Sequence, residues 1–213
     1  MEVELQFVYR GRGPLLVPTR LADLELRHST AVALLDTYFD TETLDFRRAG
    51  CSLRVRRSDA HDRPRLTFKG PSRKHRDVKR RHETEVEIQE VPGDAVAMWQ
   101  LLRDLRLEDV IRRYTELEGD VAPQPIGELR NRRSQHRFAH GLLKLDLTWD
   151  ELEFPTGPPQ TRLEVEAQGE GGERLLGEAA KELTELFGDD LVPPERGKTR
   201  ELCERLYPEL LAA

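Results

Sequence analysis

From residue 2 to residue 10 apolar and polar side chains take turns. Val3, Leu5, Phe7 and Tyr9 fall on one face, and Glu2, Glu4, Gln6 and Arg10 on the other. A period of two sends successive side chains to opposite faces of an extended chain, so this segment predicts a β-strand with one apolar and one charged face. Strand signals recur over 32–39, 51–57, 63–69, 82–90, 126–138, 142–149 and 161–168, with turn residues at Ala49-Gly50, Asp59 to Asp62 and Ala139 to Gly141. Helical spacing takes over in 94–106, behind a Gly93-Asp94 cap, with a continuation around Val110, Ile111 and Tyr114. Residues 173–187 and 199–211 predict amphipathic helices parted by Pro193-Pro194, and Leu21, Leu24 and Leu26 predict a short helix. Strands that do not alternate with helices predict an α+β fold and argue against a parallel βαβ sheet. The stretch 70–81, GPSRKHRDVKRR, is polar and basic and predicts a loop between two strands.

A chain of 213 residues suits one domain, expected over 1–213. Its apolar share of 37 %, before glycine is counted, is enough for a packed core, so disorder is not the expectation. Charged residues reach 35 %, against about 25 % in an ordinary domain, and that surplus has to be housed somewhere. No apolar run approaches the ~18 residues of a membrane span. The opening MEVELQFVYR has acids where a signal peptide has bases, so a cytoplasmic protein with no membrane association is expected. Cys51 and Cys203 are too few for a disulfide framework and sit in no CxxC pair. The net charge of −6 argues against a general nucleic-acid binder. The histidines show no metal-ligand spacing; of them, His82 and His136 lie on predicted charged strands.

The informative feature is where strand charges fall. Glu2 and Glu4 are two apart, and so are Glu164 and Glu166, so each pair leaves one face of its strand. Asp146 sits alone in the apolar LKLDLTW, and Glu83, Glu85 and Glu87 make a third acidic row. Hard divalent cations such as Mg²⁺ want converging oxygen ligands, which adjacent E-x-E strands would supply. Bases repeat the geometry: Arg54 and Arg56 share a face, Lys69 ends LTFKG, and Arg133 and Arg137 share a face opposite Arg130 and Arg132. Guanidinium forks match phosphate oxygens bidentately, and Lys supplies a point charge. Any one such row is the usual solvated face of a half-exposed strand. Rows of both signs together point further, because clustered like charges repel unless something of opposite sign stands between them. A metal–polyphosphate complex would answer both.

With these motifs the chain resembles the CYTH domains, also called triphosphate tunnel metalloenzymes. The likeness rests on MEVELQF, DTYFDTETLDF, LRVR, LTFKGP, ETEVEI, LKLDLTWDEL, LEVEA and GKTREL, which occur in family order. The resemblance implies an eight-stranded antiparallel β-barrel, a tunnel with charged side chains inside and apolar ones outside under helices. It implies Glu2, Glu4, Asp146, Glu164 and Glu166 as the acids at a Mg²⁺ or Mn²⁺ site. Arg54, Arg56, Lys69, Arg133 and Lys198 would bind triphosphate, with Glu4, Glu166 and Arg56 carrying catalysis. Either Glu85 or Glu87 would match a further acid. The implied activity is metal-dependent hydrolysis of inorganic triphosphate or thiamine triphosphate. The alternatives are a class IV-type adenylate cyclase acting on ATP and a module that binds polyphosphate or nucleotide without turnover. A homodimer is compatible with the family. One departure stands out: the family's E-x-E-x-K strand here carries the neutral Gln6.

Overall fold

Every segment with the two-residue alternation folds as a strand. The structure, a computed structural model, describes residues 3–71, 73–75, 78–80, 82–115, 122–168 and 171–211. The strands are β1 (Val3–Tyr9), β2 (Arg20–Leu21), β3 (Leu24–Asp40), β4 (Ser52–Ser58), β5 (His61–Lys69), β6 (Arg73–His75), β7 (Val78–Arg80), β8 (Glu83–Glu87), β9 (Gln124–His140), β10 (Leu143–Glu153), β11 (Gln160–Gln168) and β12 (Leu191–Val192). The helices are α1 (Asp45–Arg48), α2 (Ala95–Asp104), α3 (Glu108–Thr115), α4 (Gly172–Phe187), α5 (Lys198–Leu206) and α6 (Pro208–Leu211). Asp94 caps α2, accepting from the Ala97 backbone N–H at 2.8 Å, as the Gly93-Asp94 signal predicts.

The strands form one antiparallel sheet in the order β6-β7-β1-β11-β10-β9-β3-β4-β5-β8, with β12 beside β1 and β2 beside β3. Hydrogen bonds leave this path open among the described residues, but its ends are neighbours along the chain, since β5 leads into β6 and β7 into β8. The β5–β8 ladder runs on through the Gly70 N–H to the His82 carbonyl at 2.9 Å. Beyond it, β6 and β7 pair with each other, and Lys79 of β7 stands opposite Glu4 of β1.

Two expectations are corrected. The stretch 70–81 is not simply a loop, because backbone pairing makes 73–75 and 78–80 a hairpin. The Leu21–Leu26 segment is also a hairpin and not a helix. Ala22 and Asp23 both take positive φ, 48° and 61°, which matches the right-handed twist of the flanking strands. Leu21 and Leu24 are thereby buried with the α4 side of the core.

The pleat separates two chemistries. Leu5 of β1, Leu145, Leu147 and Trp149 of β10, and Leu163 and Val165 of β11 pack under Leu175, Leu176, Ala179 and Leu183 of α4. Leu53 and Val55 of β4, with Leu66 and Phe68 of β5, pack under Met98, Trp99 and Leu102 of α2 and Ile111 of α3. The residues between these turn to the other face, where the charges are. At one end of that inner face α5 closes over it, burying Leu202 and Cys203 against Tyr38, Leu129 and Leu152. Buried Arg162 of β11 fastens the helix through Glu201 at 2.6 Å. No helix is long and apolar enough to cross a membrane among the described residues.

Candidate functional site

The inner face encloses a cavity of about 560 Å³. Strand parity decides which side chains reach it: Glu4 and Gln6 from β1, Arg54 and Arg56 from β4, Lys69 from β5, Arg133 from β9, and Glu164 and Glu166 from β11. The first turn of α5 adds Lys198. One cavity thus gathers eight of the ten residues expected from the sequence. Glu2 lies outside the described residues. Asp146 is on the inner row of β10, 4 % exposed and cross-strand from Glu166.

The bases are held by acids that sequence reasoning missed. Asp36, 1 % exposed, accepts from Arg56 Nε and Nη2 at 2.6 and 2.7 Å and from Arg54 Nη1 at 3.3 Å. Burial alone would raise this carboxyl, but the two guanidiniums overcome it and hold it at about 2. Asp150, wholly buried, accepts from Arg133 Nε and Nη2, both at 2.7 Å, from Asn131 at 2.8 Å and from the Lys198 ammonium. Burial opposes its ionisation, yet Lys198 and Arg133 keep it well below the usual carboxylate range. Lys69 meets Glu83 at 2.6 Å. A signal for Asp150 was present, since Asp146, Thr148 and Asp150 share a strand face. Asp36 stands two residues before Tyr38 in the DTYF segment and faces inward with it.

Glu164 is the hub between acids and bases. Its Oε1 accepts from Gln6 Nε2 at 3.0 Å and from Lys198 Nζ at 2.8 Å, and its Oε2 from Arg133 Nη2 at 3.3 Å. Burial and the charge of Asp150 push its pKa up, but Lys198 and Arg133 prevail and hold it at about 2. Gln6 also donates to Glu4 Oε1 at 3.2 Å, so the neutral amide bridges two carboxylates. Asp146 accepts from Arg137 at 2.8 and 2.9 Å.

The remaining acids form a different environment. Glu4 and Glu166 are cross-strand neighbours, as are Glu166 and Asp146. Burial first, then the charges of Asp146, Glu4 and Glu83, raise the pKa of Glu166. Among the described residues no three His, Cys, Asp or Glu side chains are placed to cage an ion. The Glu4–Glu166 pair nonetheless fits a hard cation that keeps waters: its donors are all carboxylate oxygens, and a positive charge would relieve the repulsion felt by Glu166. Glu164 adds least to such a site, because its oxygens already serve Lys198, Arg133 and Gln6.

Other sequence expectations resolve by face and by position along the strand. Glu85 lines the cavity, bonded to Arg65 at 3.0 Å, whereas Glu87 lies on the exposed stretch facing Arg63. Arg133 and Arg137 are on the inner row, Arg130 and Arg132 on the outer. His82 and His136 both belong to outward rows, and His136 Nδ1 pairs with Ser29 Oγ at 2.9 Å. Cys51 touches the cavity, but burial and the charge of Asp40 push its thiol up to about 11, which keeps it protonated.

Residues 1–192 match the family described as the CYTH domain. No curated protein matches the chain. Among solved structures, HpAC1 from Hippeastrum, named as a candidate adenylyl cyclase with a dominant triphosphatase activity, superposes with a TM-score of 0.66 at 21 % identity, covering 95 % of each chain. PH1819 from Pyrococcus horikoshii OT3 gives 0.55 at 21 % identity over 96 % of this chain and 99 % of its own. A candidate adenylate cyclase from Bacillus halodurans gives 0.53 at 18 % identity over 80 % and 82 %. At these identities the likeness is one of fold.

Proposed function

Because the chain belongs to the CYTH domain family, we propose that it is a metal-dependent triphosphatase working inside a tunnel, the barrel being completed where the β5–β8 hairpin folds over to β1. The observation that carries this reading is the single cavity in which a repelling carboxylate pair, Glu4 and Glu166, stands beside five bases already oriented by carboxylates, four of them by the buried Asp36 and Asp150. Glu4 and Glu166, with Asp146 cross-strand from Glu166, would hold Mg²⁺ or Mn²⁺, and Glu2, two residues before Glu4 in the sequence, is expected to join them. Such an ion supplies charge neutralisation on phosphate oxygens and lowers the pKa of bound water.

The chain's own residues do the rest. Arg54 and Arg56 present fixed forks to phosphate oxygens, and Arg133, Lys198 and Lys69 add charge on the other walls. Phosphoryl transfer is served mostly by positioning and electrostatic stabilisation, so pre-oriented cations have their largest effect on the leaving phosphate. Asp36 and Asp150 keep the guanidiniums in place before the substrate arrives. Cys51, as a protonated thiol, is no nucleophile, in keeping with direct attack by water.

Hydrolysis is preferred over cyclisation because Tyr38 is the one aromatic among the described lining residues, and at 2 % exposure it offers little platform for a nucleobase. The test is phosphate release and cyclic AMP formation from tripolyphosphate, thiamine triphosphate and ATP, each with Mg²⁺ and Mn²⁺. Phosphate release supports the proposal. Cyclic AMP as the main product, or tight binding with neither product, refutes it.

A further inference from the structure

The bases described so far all lie deep. Arg54, Arg56, Lys69, Arg133 and Lys198 have side chains 12–20 % exposed, and each faces a carboxylate. A second group borders the same cavity on its α1 and α5 side: Arg47, Arg196 and Arg200. It is built differently. All three converge on one carboxylate, Glu204, with Arg200 Nε at 2.6 Å, Arg196 Nη1 at 2.8 Å and Arg47 Nη2 at 3.7 Å. Glu204 and the neighbouring rim residue Glu195 are two acids against three guanidiniums, so this group keeps a net positive charge. Arg47 is the least satisfied, at the longest distance and with its Nε buried and lacking an acceptor. Arg196 and Arg200 are 49 % and 53 % exposed and so stand where the cavity meets solvent.

Volume points the same way. Tripolyphosphate carries ten oxygens, and at about 30 Å³ for each water-sized group it needs roughly 300 Å³. The cavity offers about 560 Å³. The cavity therefore has room for a chain longer than three phosphates.

We propose that Arg47, Arg196 and Arg200 form a second anion subsite, which takes the outermost phosphate of a linear polyphosphate longer than three units. This inference rests on the triphosphatase reading and specifies its substrate class. An additional phosphate would give the guanidiniums the counter-charge that Glu204 and Glu195 do not supply, through charge-assisted bidentate contacts.

The experiment compares tripolyphosphate with tetrapolyphosphate on the full chain, in wild type, Arg47→Ala and Arg200→Ala. KM comes from phosphate release and Kd from titration calorimetry in chelator. The expected result is at least a tenfold loss of tetrapolyphosphate affinity in each variant, with tripolyphosphate changed less than threefold. Arg47→Lys should recover part of the loss. Equal losses on both chain lengths, or no loss on either, overturn the subsite while leaving tripolyphosphate hydrolysis standing. If wild type releases phosphate from neither substrate, the triphosphatase reading fails, and the calorimetric ratio still decides the subsite. Arg200→Ala removes a half-exposed side chain, so it serves as the test if Arg47→Ala does not fold.

Discussion

Lys198 and Gln6 end on the same oxygen, which makes their exchange a sharp test of the internal charge network. Lys198→Met keeps the length of the side chain and removes the ammonium from between Asp150 and Glu164. Leaving one member of a buried pair uncompensated costs about 3–5 kcal/mol. Here Asp150 retains Arg133 and Asn131, and Glu164 retains Arg133 and Gln6. The loss should therefore be nearer about 2 kcal/mol, the scale of one hydrogen bond to a charged group. Gln6 Nε2 lies 3.0 Å from Glu164 Oε1, so a lysine at position 6 can bring an ammonium to that acceptor from β1. Gln6→Lys in the Lys198→Met background should recover about 1 kcal/mol, since it reaches Glu164 and leaves the Asp150 contact unmade. In the wild-type background the same change puts two ammoniums on one carboxylate oxygen and should bring no gain. Urea unfolding at pH 7 of the four proteins measures the coupling, expected at about 1 kcal/mol. If Gln6→Lys shifts stability equally in both backgrounds, the two side chains do not share Glu164 and the reasoning fails.

Asp36 and Glu164 are both held at about 2, so each contributes stability that is full above the ordinary carboxylate pKa and disappears as pH falls through about 2. Melting curves should therefore show stability dropping between about pH 4 and pH 2, and Asp36→Asn should lose about 2 kcal/mol at pH 7 and flatten that slope. Glu166 has its pKa raised, so its ionised form is disfavoured in the fold. Glu166→Gln should leave metal-free stability at pH 7 equal or higher, while lowering tripolyphosphate turnover about a hundredfold, or roughly 2.7 kcal/mol. The same variant should lose the Mg²⁺-induced rise in melting temperature, and an undiminished rise would take Glu166 out of the cation site. Chelator should abolish phosphate release, with Mg²⁺ or Mn²⁺ restoring it; activity that survives exhaustive chelation counts against the metal-dependent reading.

Strand alternation made most of the fold legible, because a residue's parity alone decides whether it meets helix or cavity. Glu4, Arg54, Glu164 and Glu166 could be assigned to one face from sequence, since each stands between apolar neighbours, and Arg56 follows Arg54 by parity; Arg133, between Arg132 and Ser134 in an arginine-rich run, could not. The hairpin at Ala22-Asp23 was not legible. Neither residue is glycine or asparagine, and three leucines at short spacing imitate a helical face. The β6–β7 pairing was hidden for another reason: every residue from Arg73 to Arg81 except Val78 is polar, and all of those but His75 are charged, so no two-residue period marks it. The supporting acids were missed because a lone aspartate in an apolar strand does not show which arginines it faces. Partners for Asp36 lie about twenty positions on, and Asp150 draws on Arg133 and on Lys198, 48 residues later.

That long-range pairing bears on how the cavity can work. The inner cations are not waiting bare for an anion: Arg54 and Arg56 share Asp36, Arg133 and Lys198 share Asp150 and Glu164, and Lys69 holds Glu83. Bare guanidiniums at this depth would repel one another and carry a desolvation penalty of several kcal/mol each. The buried acids remove that penalty and fix the forks, so an arriving phosphate finds the geometry already made. The price is competition, since phosphate oxygens must share donors with carboxylates. The arrangement favours ligands with many charges and many oxygens, which can engage several partly occupied donors at once, over monoanions that can engage one. Carboxylates also stay fixed during reaction while charge moves onto the leaving phosphate, so the cations' surplus attraction goes to the state in which that charge is greatest. Discrimination for polyphosphate and stabilisation of its cleavage then have one physical origin, the pairing of Asp36 and Asp150 with the bases around them.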